Sequence, residues 1–362
     1  MNEVSKEKKS IAAPANKVAI RVSEERLLSV VRSLPGNDVM VISCGRAQLA
    51  KLLCEKRDKA NIHAWFLDQH HGQLARDENE SAPTKVLCDA DWPLPGKVDL
   101  VAISLHKRGE SELARDFLQT GYQNLKPGGI LAAAIDNPKD KWLLGQMQAF
   151  DKSVKVRPFA DAIVYYVTKK NPLKKVRDFS CTLAFRDEGN LIQLVTRPGV
   201  FAHRQFDNGA RQILDAVEVF PECSVIEIGC GSGAMSLALA KRDPTANLFA
   251  IDSHWRAVDC TRKGAELNGL TNVTAEVNHN GDLGQRAGSF DMALANPPYY
   301  ADFKIAKHFI ETALKALRPG GRLVAVTRKP RWYRENLATW FEECEVHESR
   351  RYFIATGVKA RQ

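Results

Sequence analysis

The chain makes the same connection twice: "KPGGIL" occupies residues 126–131 and "RPGGRL" residues 318–323, 192 positions apart. The repeat extends well beyond this step. "VMVISCGRAQLAKLLCEK" (39–56) lies over "VIEIGCGSGAMSLALAKR" (225–242), each reading as a buried strand, a tight turn and a helix with apolar residues at helical spacing. "AWFLDQH" (64–70) matches "LFAIDSH" (248–254), two strands ending in aspartate. "KVDLVAISLHKRG" (97–109) matches "SFDMALANPPYYA" (289–301), again at an offset of 192. An internal repeat fixes an architecture before any single motif does. Strands alternating with helices, in the same order twice, predict an α/β protein of two tandem Rossmann-like, doubly wound domains with mostly parallel sheets.

At 362 residues the chain exceeds one average core, and 44% apolar residues can fill two. The expected layout is a disordered tail over 1–17, a first domain over 18–168, a basic linker with the start of a hairpin over 169–190, and a second domain over 191–362. The tail is charged and lacks apolar periodicity. "TKKNPLKKVRDF" (168–179) gathers five basic residues around a proline, and "CTLAF" and "LIQLV" flank "RDEGN" as a hairpin would.

Composition narrows the partner. No apolar run approaches the roughly 18 residues of a membrane span, and "MNEVSKEKKS" has no signal-peptide core. Eight cysteines without CxxC or a zinc-like pairing with histidine suit reduced thiols in the cytoplasm, with no metal site and no membrane partner. A net charge of +9 favours an anionic partner such as RNA. The linker and "RKPRWYR" (328–334) are candidate RNA-facing strips; for the second, the alternative is a solvated loop with Trp332 packed on the core.

The halves diverge where chemistry would sit. The second carries Gly229-Cys230-Gly231-Ser232-Gly233, glycines that turn at positive φ and let a ligand approach backbone. The first puts Ser43, Gly45 and Ala47 there, and Val41 in place of Glu227. Ser104-Leu105-His106-Lys107 stands against Asn296-Pro297-Pro298-Tyr299. Because core pattern and site are separate requirements, the first half is expected to be a copy that kept its sheet and lost its pocket.

"VIEIGCGSGA" alone fits both the Gly-rich turn of S-adenosylmethionine (SAM) methyltransferases and the dinucleotide pattern GxGxxG/A. Asp252 suits the ribose hydroxyls of either cofactor. "NPPYY" separates them. Neither proline has an N–H, and each stiffens the residue before it, so the side-chain carbonyl of Asn296 and the backbone carbonyl of Pro297 become fixed acceptors. Two acceptors suit a planar exocyclic amine, whose lone pair is delocalised. Holding both N–H bonds steers the nitrogen toward tetrahedral geometry and aims its lone pair at a methyl donor, by positioning and electrostatics. Pro298 completes the rigid turn, and Tyr299 would stack on the planar acceptor. A nicotinamide enzyme has no use for this turn.

On these residues the C-terminal half resembles a class I SAM-dependent methyltransferase of the small-domain type. The tandem layout resembles the bacterial ribosomal RNA guanine-N2 methyltransferases of the small-subunit (C) and large-subunit (G) types. "PGVFAHRQFDNGARQIL" (198–214) is similar to that family's Gly-Val-Phe-Ser…Leu-Asp-x-Gly stretch, with Ala202 in place of Ser and Phe206 in place of Leu. The resemblance implies SAM as cofactor, a guanine of ribosomal RNA or of a ribosomal subunit as substrate, and a first domain that binds no SAM but helps hold the RNA or the second domain. It implies that Glu227 faces the amino-acid end of SAM. It also implies a polar adenine contact in "EVNHNGD" (276–282), from Asn280 or from Asp282. Asp207 is placed to cap the next helix, and Phe201 and Phe206 to close over the cofactor. A monomer is expected. Two other readings compete: a protein glutamine-N5 methyltransferase, which would carry a small helical N-terminal domain, and a non-catalytic RNA-binding assembly factor, which would not need intact Gly229, Gly231, Gly233, Asp252 and Asn296.

Overall fold

A computed structural model of the chain describes residues 19–42, 45–79, 84–298 and 303–361. The expected tail and Tyr299 lie outside these described residues. The first half runs α1 (Val22–Val31), β1 (Asp38–Ile42), α2 (Gln48–Lys56), β2 (Asn61–Phe66), α3 (Gln69–Glu78), β3 (Lys85–Cys88), β4 (Val98–Leu105), α4 (Ser111–Gln123), β5 (Leu125–Ile135), α5 (Trp142–Gln148), β6 (Lys155–Pro158) and β7 (Ile163–Thr168). A hairpin of β8 (Cys181–Asp187) and β9 (Asn190–Thr196) follows. The second half runs α6 (Asn208–Ala216), β10 (Ser224–Ile228), α7 (Ala234–Arg242), β11 (Asn247–Asp252), α8 (Trp255–Asn268), β12 (Val273–Val277), β13 (Phe290–Ala295), α9 (Lys304–Ala316), β14 (Leu317–Thr327), α10 (Pro330–Asn336), β15 (Glu342–Ser349) and β16 (Tyr352–Val358).

The two seven-stranded sheets have one topology, β3-β2-β1-β4-β5-β7-β6 and β12-β11-β10-β13-β14-β16-β15. Pairing is parallel except along β7 and β16. Helices cover both faces, which is why central strands such as β4 and β13 read as continuous apolar runs rather than alternating ones. Fold class and duplication are as the sequence implies.

The repeated Pro-Gly-Gly is not a connection between two elements. It lies inside β5 and β14 as a bulge, where pairing jumps from Val98↔Leu125 to Leu100↔Ile130, and from Phe290↔Leu317 to Met292↔Arg322. Gly128 and Gly320 take φ of +81° and +78°, which a side chain would resist. The basic residue latches the bulge to the neighbouring strand: Lys126 pairs with Asp99 and Arg318 with Asp291. A second lysine completes each latch. Lys169 Nζ donates to the carbonyls of Gln123 and Leu125, and Lys359 Nζ to those of Leu314 and Leu317. Lys169 is therefore a buried structural residue, 7% exposed, and not part of an RNA-facing linker.

Strand register corrects another match. Asp38 pairs with Asn61 and Ser224 with Asn247, an offset of 186, so Phe66 stands where Asp252 does. Asp68 is instead the counterpart of His254, and it caps α3 by accepting from the His71 N–H. The hairpin packs Phe185, Ile192 and Leu194 into the core of the second sheet, so β8 is part of that unit although the linker was expected to reach residue 190.

The domains dock through equivalent residues. Asp68 bridges to His254: the Gln69 N–H donates to the Ser253 carbonyl, and the Trp255 N–H to the Leu67 carbonyl, both at 2.8 Å. These pairs interchange under the 186-residue offset, so the contact has a local pseudo-two-fold axis, as an isologous interface would. Beside it Arg256, 1% exposed, pairs with Asp116 at 2.7 Å and donates to the carbonyls of Ala90 and Pro198. A buried guanidinium so fully partnered ties both halves together.

Candidate active site

Apart from Asp207, which precedes α6, the candidate residues of the second half lie at the ends of, or just beyond, four strands adjacent in the sheet, β12, β11, β10 and β13. They line its carboxyl edge, where open α/β sheets bind ligands. The three glycines differ in task. A Cβ on Gly229 would lie 2.5 Å from the Phe309 ring, and one on Gly233 2.6 Å from Thr261. Both positions therefore serve turn geometry and close helix packing. A Cβ on Gly231, at φ +55°, would meet nothing nearer than Phe201 Cβ at 4.0 Å. Only this glycine offers its backbone to an approaching ligand.

Asp252 holds that turn. Its Oδ2 accepts from the Gly231 N–H and its Oδ1 from the His254 N–H, each at 2.9 Å. Burial pushes its carboxyl up to about 6, against the opposing pull of these bonds. The Asn278 N–H donates to the Asp252 carbonyl, which pins the start of the loop carrying Asn280 and Asp282. Asn280 Oδ1 accepts from the Asp282 N–H and Asp282 Oδ1 from the Gly284 N–H, so both exposed side chains also shape their own loop. Glu227, 2% exposed, accepts through Oε2 from both the N–H and Oγ of Ser236, leaving Oε1 open. Burial raises its carboxyl to about 7.

Asn296 leaves β13 half-buried, followed by Pro297 and Pro298. Its Nδ2 donates to Asp207 Oδ2 at 2.7 Å. A carboxylate accepts only, so this contact fixes which end of the amide faces Asp207 and leaves Asn296 Oδ1 as the free acceptor. Asp207 Oδ2 also caps α6 from the Ala210 N–H at 2.9 Å. Gly209 makes room for both, since a Cβ there would lie 2.8 Å from Asp207 Oδ2. The first half shows the same place closed: Ser23 and Ser104, counterparts of Gly209 and Asn296, hydrogen-bond to each other at 2.9 Å and are buried.

The surrounding aromatics divide. Phe201 is 66% exposed beside Gly231, whereas Phe206 stacks on Phe185 at 4.1 Å and turns into the core, so it does not cover a cofactor. Trp332 lies flat against Phe303, with ring centroids 5.1 Å apart, and Lys329 sits over the same Phe303 ring. The packed reading of Trp332 holds, while Arg331 beside it is exposed. The Asp207–Asn296 contact escaped the sequence; only the helix cap at Asp207 was visible there. Among the described residues no group of His, Cys, Asp and Glu is placed to hold a metal, and no helix is long and apolar enough to cross a membrane.

Residues 191–356 match the family model of the methyltransferase small domain. Over nearly the whole chain the sequence is similar to ribosomal RNA small subunit methyltransferase C. The protein of that name from Shewanella sediminis is 24% identical over 88% of this chain and 93% of its own, and that from Shewanella amazonensis 26% identical over 91% and 96%. The fold superposes on the T. thermophilus 16S rRNA N2 G1207 methyltransferase, solved with AdoMet and guanosine, with a TM-score of 0.75 at 21% identity, covering 93% of this chain and 91% of that one. The match to the methyltransferase small domain thus falls on the half of the chain that keeps the glycine turn and Asn296. The tandem two-sheet fold is shared with the T. thermophilus structure over nearly the whole length of both chains.

Proposed function

We propose that the chain transfers a methyl group from SAM to the exocyclic N2 amine of a guanine in ribosomal RNA. The Asn296–Asp207 contact carries this reading, because it turns a free amide oxygen outward at the one turn whose prolines hold a second acceptor rigid. SAM would supply an electrophilic methyl group on its sulfonium at the Gly231 turn. The residues there fit it: backbone open at Gly231, the Asp252 carboxylate for ribose hydroxyls, and Oε1 of Glu227 for the amino-acid end. Asn280 or Asp282 supplies the adenine contact.

Asn296 Oδ1 and the Pro297 carbonyl accept the two N–H bonds of the guanine amine and draw its lone pair out of conjugation. The new N–C bond forms as the methyl–sulfur bond breaks, and the methylated nitrogen gives up one proton to solvent. Pre-placed acceptors do this without a strong base. The guanine must leave any stack or pair to reach the turn, so single-stranded or unfolded RNA is the better substrate. The chain would act in the cytoplasm as a monomer, its duplicated domains making within one chain the contact that two copies would make in a dimer. Incubating ribosomal RNA with the protein and labelled SAM, then identifying the labelled nucleoside, tests the proposal. N2-methylguanine supports it, and label confined to protein glutamine overturns it.

A further inference from the structure

The loop between β9 and α6, residues 197–206, carries Phe201 past Gly231 and delivers Asp207 to Asn296, yet much of what holds it comes from the other domain. Glu112 Oε2, at the start of α4, accepts from His203 Nε2 at 3.0 Å and from Arg204 Nε at 2.7 Å. Glu110 Oε2 accepts from the Gly199 N–H at 3.0 Å. Asp91 pairs with Arg197. Two non-glycine residues of the loop, Ala202 and Arg204, sit at left-handed φ of +57° and +64°, a conformation that persists only where surrounding contacts impose it. Within the second domain, Val200 packs on Ala257 and Cys260, and Thr196 Oγ1 contacts His203 Nδ1. These anchor the base of the loop, while the tip leans on Glu112.

The gripping segment has a telling position. At the 192-residue offset, residues 106–112 are the counterpart of 298–304, the stretch that leaves the Asn-Pro-Pro turn. The grip on the loop therefore comes from the first half's sequence counterpart of the segment after the Asn-Pro-Pro turn.

We propose that the first domain is a positioning module for the cofactor site, acting through Glu112, with Glu110, on the 197–206 loop. Glu112 is a positioning residue: it fixes Phe201 over the glycine turn and so slows escape of SAM. This rests on the reading of the second half as a SAM-dependent methyltransferase, but its test needs no RNA. In the full-length protein, Glu112→Ala should raise the Kd for SAM about tenfold by calorimetry, and should speed tryptic cleavage after Arg204, followed by mass spectrometry, by about tenfold as the loop opens locally. Glu112→Gln keeps an acceptor oxygen and should recover most of both effects. Arg204→Ala breaks the same contact from the loop side and should reproduce the weaker binding, which keeps the test decisive if the Glu112 variants fold poorly. Wild-type SAM affinity in Arg204→Ala, or in Glu112→Ala with unchanged cleavage, overturns the inference. A wild-type protein that binds SAM but methylates no RNA would instead overturn the proposed substrate and leave this inference standing.

Discussion

Asn296 donates its amide N–H to Asp207 across 2.7 Å, and the same carboxylate oxygen caps the helix that begins at Asn208. One residue therefore sets both a helix start and the direction of the acceptor next to it. The two duties separate by substitution. Serine caps a helix about as well as aspartate but is too short to reach Asn296. Asp207→Ser should keep thermal stability while lowering kcat about 10- to 100-fold, the scale of a misplaced contact. Asp207→Asn should keep both. Melting curves and single-turnover methylation read the two effects apart.

Asn296→Ala should leave SAM affinity nearly intact and lower methyl transfer about 10²-fold or more, as loss of a transition-state contact does. Calorimetry and single-turnover rates on the same preparation check it. A tenfold loss of SAM affinity would move Asn296 from the chemistry to the cofactor pocket.

One SAM should bind per chain. In the first half Phe66 and Val41 occupy the places of Asp252 and Glu227, and Ser23 and Ser104 close the space beside them. Asp252→Ala should weaken binding by about 1.5–3 kcal/mol, the range of hydrogen bonds to a charged group. A calorimetric stoichiometry of two would reopen the first domain.

Much of this was legible in the sequence because parallel sheets write themselves as spaced apolar runs, and two copies of one pattern reinforce each other. Glycine roles were legible only in part: the pattern GxGxG does not say which glycine faces a ligand, since that depends on Phe309 and Thr261, far off in the chain. The aspartate match between residues 68 and 252 failed because a letter at a strand's end carries no register; register comes from pairing with β1 and β10. Lys169 looked like a linker charge because the carbonyls it caps, at Gln123 and Leu125, are remote in sequence.

The buried Glu227 predicts a pH dependence. Its carboxyl titrates near 7 in the folded protein against 4.5 ordinarily, so the native state holds the extra proton between these values. The stability this group contributes is fully present below about pH 4.5 and is lost as pH rises through 7. Ligand-free protein should lose on the order of 3 kcal/mol across that window through this residue. Urea unfolding of Glu227→Gln should lack that part of the decline.

The exposed Lys174, Lys175 and Arg177 remain candidates for phosphate contacts; Lys169 is removed by burial, and Lys170 is engaged by Asp151 and Ser153. Neutralising all three should lower the slope of log affinity against log salt by about 2, at roughly 0.7 per contact to single-stranded RNA. An unchanged slope would leave the segment as a connection only.

The central claim is methyl transfer to the guanine N2 amine at the Asn296 turn. Ribosomal RNA from cells lacking the gene, treated with purified protein and SAM and then digested to nucleosides, should gain N2-methylguanine by mass spectrometry, and should gain none with Asn296→Ala. A product methylated elsewhere than guanine N2, or no product from protein that binds SAM, would contradict it.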